Sequence, residues 1–328
     1  STLVSRSEVV LERQFKFKHT NEIWTGVPIF SANMDTTGTF ETAITLQKHK
    51  MLTAIHKFYS IKDWEKNVEK LDPNFISVTV GQSKEDLQLG QKIFSLNSDI
   101  KYLCIDVANG YREDFINSVK NYRETFPDKI IIAGNVATRE MTEALILAGA
   151  DIVKIGIGPG SVCTTRSVAG VGYPQLSSIS ECSDAAHGLG GHVMADGGCK
   201  YPGDVSKAFG AGADYVMLGG MFAGHKESGG ELVTDEEGVQ YKDFYGMSST
   251  KAQQTYYGDL AEHRAPEGKK VRLRYKGELD KTVQSILGGM RSACSYVGAK
   301  KLKDLPKSTT FIRVTQTTNE IFTGSENI

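Results

Sequence analysis

The chain has 328 residues, 40% of them hydrophobic, and carries 38 basic against 39 acidic side chains for a formal charge of -1. Such a chain buries a large core, and its balanced charge excludes the bulk basic field that attracts nucleic acid. No run of about 18 uncharged apolar residues is present to span a bilayer, and the opening segment STLVSRSEVVLERQFKFK lacks a hydrophobic signal core.

Eight short apolar runs rich in β-branched residues read as strands. They are Pro28–Asn33, Met51–His56, Ile76–Gly81, Lys101–Val107, Lys129–Val136, Ala150–Gly156, Gly191–Gly197 and Ala213–Gly219. Helix-like segments lie between most of them, among them Thr39–His49, Lys84–Leu96, Arg112–Thr125, Arg139–Leu147 and Ser177–Leu189. Short buried strands alternating with helices imply parallel βαβ units, and eight units imply a closed (β/α)8 barrel, with a doubly wound open sheet as the competing arrangement. Two excursions interrupt the rhythm. A Gly/Ser/Thr-rich loop at 156–172 follows the sixth strand, and a charged, glycine-rich stretch at about 228–276 follows the eighth. The second opens as a hairpin turning near Glu237–Gly238 and continues without a clean period, as lids and binding loops do. Leu279–Ala299 returns to helix, and no second domain is evident along residues 1–328.

Cys104, Cys163, Cys182, Cys199 and Cys294 are odd in number and form no CxxC pair. A disulfide framework or a zinc site is therefore disfavoured, and a reducing, cytoplasmic setting is expected. Cys163 sits among hydroxyls in IGPGSVCTTR, near Arg166 and past a strand end. A thiolate is stabilised in such polar, electropositive surroundings and attacks electron-poor carbon; on spacing alone it is either a nucleophile or an incidental cysteine. Gly197–Gly198 and Gly219–Gly220 follow the seventh and eighth strands. Those are the loops with which barrels hold phosphate, although paired glycines also serve simple tight turns. Asp196, just before the first pair, suits ribose hydroxyls.

In order along the chain stand GIGPGSVCTTR, GVGYPQL, ADGGC, PGDVSKAFGAGADYVMLGGMFAG, YGMSS and LGGMRSACSYVGA. This series resembles the family shared by IMP dehydrogenase and GMP reductase, over about residues 5 to 324. SANMDT, AIHKFYS, IDVANGY, AGNVAT and TTFIRVTQ bring the likeness nearest to the reductase branch. The stretch from Lys57 to Ile76 leaves no room for the regulatory insert usual in the dehydrogenases.

The resemblance implies an irreversible, NADPH-dependent reductive deamination of GMP to IMP and ammonia. It makes Cys163 the residue that attacks purine C2, with Thr165 and Glu267 moving a proton to the departing amine. It implies a nucleotide held by Ser161, Asp196, Gly198, Gly219 and Gly220, a phosphate contact from Tyr245, and a base framed by Gly246, Met247, Ser248 and Arg264. Asp106, Ala108 and Asn109 would line the nicotinamide side, the carbonyls of Gly158 and Gly160 would bind potassium, and the assembly would be a homotetramer without nucleic-acid or membrane partners. Two other readings stay open: an IMP dehydrogenase lacking the insert, and a non-catalytic purine-nucleotide-binding barrel. The dehydrogenase uses an Arg-Tyr pair in a mobile flap; here the only such pair, Arg274–Tyr275, lies beyond Glu267.

Overall fold

Strands such as Ile76–Val80 are buried along their whole length, which is the condition of a parallel sheet whose outer face is covered by helices. A computed structural model, describing residues 5–256, 258 and 265–315, has eight largely buried strands in a closed parallel barrel. A hairpin of β1 (Arg13–Lys16) and β2 (Ile23–Gly26) precedes it. The barrel strands are β3 (Ile29–Ser31), β4 (Leu52–Ile55), β5 (Ile76–Val80), β6 (Tyr102–Asp106), β7 (Ile130–Val136), β8 (Ile152–Ile155), β9 (His192–Asp196) and β10 (Tyr215–Leu218). β10 closes the ring on β3, with Val216 opposite Ile29. All eight fall inside the runs expected from the sequence, and the open-sheet alternative is excluded.

The helices are α1 (Phe40–Leu46), α2 (Ile61–Asn67), α3 (Lys84–Leu96), α4 (Glu113–Thr125), α5 (Arg139–Leu147), the short α6 (Thr165–Val168), α7 (Gln175–Gly188) and α8 (Pro202–Gly210). Ser60 and Ser83 open α2 and α3 through capping boxes with Asp63 and Asp86, which satisfy otherwise orphaned amides. After β10 comes a three-stranded antiparallel sheet of β11 (Leu232–Thr234), β12 (Gln240–Tyr245) and β13 (Lys270–Arg274), with α9 (Thr250–Tyr256) between the last two strands. The expected hairpin is β11–β12; the third strand was not legible. α10 (Leu279–Val297) completes the helical ring by packing against α8 and α1, and α11 (Leu305–Ser308) follows. No helix among the described residues is long and apolar enough to cross a membrane.

Strand alternation divides the core. Outward residues such as Val78, Ile105 and Val153 pack under the helices. Inward residues Phe30, Leu52, Tyr102, Ile130, Ile132, Ile152, Met194 and Tyr215 fill the barrel. The β1–β2 hairpin plugs its N-terminal mouth: Phe15 stacks on Tyr215 at 4.6 Å, and Trp24 lies edge-on to Tyr102. This plug is absent from the sequence expectations, because four-residue strands of mixed polarity leave little periodic signal.

Beside the plug, the carboxylate of Asp214 is buried. It accepts from His187 Nε2 at 2.7 Å and the Val193 amide at 3.1 Å on one oxygen, and from Arg13 at 3.1 Å on the other. Burial alone would raise its pKa, but His187 and His192 pull it well below the usual carboxylate range. Its stabilising contribution is therefore present above the unfolded value of about 4 and fades as pH falls through the lower native value. Asp214→Asn should cost about 3 kcal/mol at neutral pH, the loss expected when one partner of a buried pair is removed. Denaturant unfolding at pH 7 and at lower pH checks this: the gap from wild type should narrow in acid.

Candidate active site

The loop at 156–172 leaves β8 pressed against the end of β9. Gly156 adopts φ 147°, and a Cβ there would lie 2.1 Å from the Asp196 carbonyl oxygen, so only glycine fits. Gln175 fastens this exit by donating to the carbonyls of Ile155 (3.0 Å) and Asp196 (3.3 Å). Arg166 braces the loop. Its guanidinium donates to the Tyr173 carbonyl at 2.7 Å, and its stem fills the space over Gly158 and Gly172. The Cys163 amide donates to the Gly160 carbonyl at 3.1 Å, a turn that presents the thiol.

The segment after β10 returns onto this loop through its backbone. The Thr164 amide donates to the Glu267 carbonyl (3.0 Å), Lys269 to Val162 (2.9 Å), Glu267 to Ser248 (3.1 Å) and Gly246 to Lys269 (3.2 Å). Gly246 and Gly268 pass so close that a Cβ on either would lie 3.1 Å from the other's Cα. The consequence is a side-chain chain: Cys163 Sγ stands 3.3 Å from Thr165 Oγ1, which stands 2.7 Å from Glu267 Oε2. A hydroxyl has one proton to give. While Glu267 is ionised, Thr165 donates to it and accepts from the thiol, so the three groups form a directed proton path.

Gly160, Ser161, Asp196, Gly198, Gly219 and Gly220 line one cavity at the strand ends, with Met34 and Phe244. The structure thus brings together the glycine pairs and the cysteine loop. Gly198 has φ 92°, a conformation that side-chain-bearing residues rarely adopt, and a Cβ on Gly220 would press on Ser161 Oγ at 3.0 Å. Met247 and Ser248 are half-buried after β12. Arg264 lies outside the described residues. Tyr245 is at the rim, but its hydroxyl donates to Asp35 at 2.5 Å, and Tyr256 donates to the same oxygen at 2.6 Å. Tyr256 also stacks on Phe58 at 3.6 Å, which ties α9 to the loops after β3 and β4.

On the opposite rim Ala108 and Asn109 are exposed after β6. Asp106 and Asp196 meet the Lys154 ammonium at 2.7 and 3.0 Å, and Asn135 donates to Asp196 at 2.9 Å. Burial alone would raise the Asp106 pKa, but Lys154 brings it below the usual range. Sequence reading missed Lys154, Asn135, Met34 and Asp35; a lysine at an inward register position of the apolar run ADIVKIG was the one available signal.

A (β/α)8 barrel with a cysteine–hydroxyl–carboxylate chain beside a glycine-lined cavity, all at the C-terminal ends of its strands, defines an enzyme of the barrel class. The family model described as IMP dehydrogenase / GMP reductase domain matches residues 2–321, and the chain belongs to that family. Curated relatives include "GMP reductase 2" of Mus musculus, 55% identical over 99% of this chain and 94% of its own length. "GMP reductase" of Escherichia coli O81 (strain ED1a) is 56% identical over 98% and 93%, and "GMP reductase" of Caenorhabditis elegans is 54% identical over 99% and 92%.

Burial pushes the thiols of Cys104 and Cys199 up to about 12 and that of Cys294 up to about 11, and it raises Cys182 as well. Cys163 is half-buried, bridged to Gly268 and next to the cavity-lining Val162. Iodoacetamide at pH 8 should therefore alkylate Cys163 first in the native protein and the equally half-buried Cys199 more slowly, because its thiol is pushed up, and mass mapping should find Cys104, Cys182 and Cys294 modified only after unfolding.

Proposed function

We propose that this chain is an oxidoreductase that converts GMP to IMP and ammonia with NADPH, through a covalent bond between Cys163 and purine C2. The observation that carries the reading is the Cys163–Thr165–Glu267 chain at 3.3 and 2.7 Å. Amide-like nitrogen leaves poorly from C2 unless it is protonated. The thiol proton travels through Thr165 to Glu267 and on to the amino group, so sulfur bonds to C2 as neutral ammonia departs. The thiolate is expelled when C2 gains hydrogen, and one proton from solvent restores Cys163.

When bound, NADPH supplies the hydride that C2 receives. Asp106, kept ionised by Lys154 with part of its side chain open to the mouth, fits an amide-bearing ring, and the exposed Ala108 and Asn109 flank it. For potassium, Gly158 and Gly160 offer neutral carbonyls in a stretch, Gly156–Arg166, that contains no carboxylate; that donor set suits a monovalent ion better than calcium or magnesium. Ser161 and the amides near Gly198, Gly219 and Gly220 hold the phosphate, Asp196 the ribose, and Gly246, Met247, Ser248 and Arg264 the base. Tyr245 reaches the phosphate only by releasing Asp35. The same resemblance supports a cytoplasmic homotetramer built on one catalytic barrel, acting on small molecules alone.

The dehydrogenase reading is weakened by the place of Arg274–Tyr275. β13 runs away from Gly268, and at about 3.3 Å per residue it carries Arg274 on the order of 20 Å off, to lie opposite Tyr241.

Purified protein should oxidise NADPH in the presence of GMP, with NADH much poorer. Reduction of NAD+ with IMP and indifference to GMP would establish the dehydrogenase instead. Cys163→Ser should abolish turnover yet keep GMP affinity within a few-fold, because an alkoxide forms far less readily than a thiolate; residual steady-state turnover would exclude the covalent route. Glu267→Gln should slow GMP turnover about 10²-fold. The NADPH burst from IMP and NADP+ in rapid mixing should change much less, whereas equal slowing would make Glu267 a lid anchor.

A further inference from the structure

Lys154 occupies an inward position on β8, where a packed barrel normally carries an apolar side chain. Its side chain is 3% exposed. It reaches Asp106 on β6 across the whole width of β7, because the residue between them is Gly134, opposite Asp106 in one register and opposite Lys154 in the other. A Cβ on Gly134 would lie 2.7 Å from Lys154 Cβ, so the lysine stem runs through space that a side chain would fill. On the other flank the same ammonium meets Asp196 on β9 at 3.0 Å. The Asn135 amide shares that oxygen and also donates to the Gly156 carbonyl at 3.0 Å, where the cysteine loop begins.

We propose that Lys154 is a positioning residue for the reaction, one cation that fixes the separation between the nicotinamide-side carboxylate Asp106 and the ribose-side carboxylate Asp196. This rests on the functional reading above. Two carboxylates that line opposite parts of a ligand chamber repel each other and drift with solvent. A buried ammonium between them sets both in one frame, and it does so before any ligand arrives. Hydride transfer depends on the relative placement of two ligands, so the effect falls on the rate more than on either affinity. Burial would lower the lysine pKa, but the two carboxylates raise it above the ordinary range; Lys154 therefore stays charged over the working range of the enzyme. The groups that face this set are Cys104 on the same strand as Asp106, Lys57 after β4, and Asn33 after β3, which bonds to Asp106.

The test compares wild type, K154M and K154R in the GMP and NADPH assay. K154M should lose about 10² in kcat while the KM for each ligand moves less than about threefold. K154R, which keeps the charge, should recover to within about tenfold of wild type. In K154M the Asp106 carboxyl has lost its strongest cation, so activity should fail at a higher pH than in wild type as pH is lowered. If K154M does not fold, K154Q is read by the same criteria. Wild-type kcat and an unshifted acid limb in a folded K154M or K154Q would overturn the proposal, as would lowered thermal stability with unchanged kcat. A wild-type protein inert toward GMP and NADPH would overturn the reaction itself, and this role with it, so the two failures are told apart by the wild-type lane.

Discussion

Glycine at both 246 and 268 lets two backbone segments pass so closely that a Cβ on either would press on the other's Cα at 3.1 Å, inside ordinary van der Waals contact, and on that approach depends the register of the lid against Cys163. Four backbone hydrogen bonds follow from it, and they fix Glu267 by its main chain rather than by its flexible side chain. A carboxylate anchored this way lies 2.7 Å from Thr165. The cysteine–threonine–glutamate chain is thus a property of two loops that meet, one from the end of β8 and one from the far side of the β11–β13 sheet.

The barrel interior grades from apolar to charged along its axis. Phe15, Trp24, Tyr102 and Tyr215 seal the N-terminal mouth with aromatic contacts, while Asp106, Lys154 and Asp196 occupy inward positions at the other end. Desolvated charge is tolerable there because each ion has a partner within 3.0 Å. The plugged end supplies rigidity, and the charged end is where ligand groups can replace water. This division lets the strands serve as core and as site within a span of five residues.

Much of this was legible in the residues. The eight strands announced themselves because parallel strands must be apolar on both faces, and the cysteine loop because glycines cluster where a chain turns sharply inward. Thr165 and Glu267 are a different matter. They are 102 residues apart, and by periodicity Glu267 is one charge in an irregular segment; only resemblance to a known series joined them. β13 escaped because its sequence KVRLR alternates charge on an exposed small sheet. Lys154 escaped because a lysine in an apolar run reads as an edge or an interruption, and nothing local reveals two acids waiting on strands β6 and β9. The bracing by Arg166 escaped for a related reason: a long side chain has many places to go, and here its guanidinium reaches the Tyr173 carbonyl.

Gly134 has no side chain to offer a ligand, yet it sets a limit on how this protein can change. Its missing side chain is the channel through which Lys154 crosses β7, and a Cβ there would also lie 2.3 Å from the Lys154 carbonyl oxygen. Even alanine, the smallest substitution available, would collide with both the backbone and the stem of the neighbouring strand. Tolerance to mutation in this chain therefore does not track distance from the reacting atoms. A chemically silent position in the middle of a strand has no room to vary, and drift at that position would be purged for what it displaces rather than for what it does.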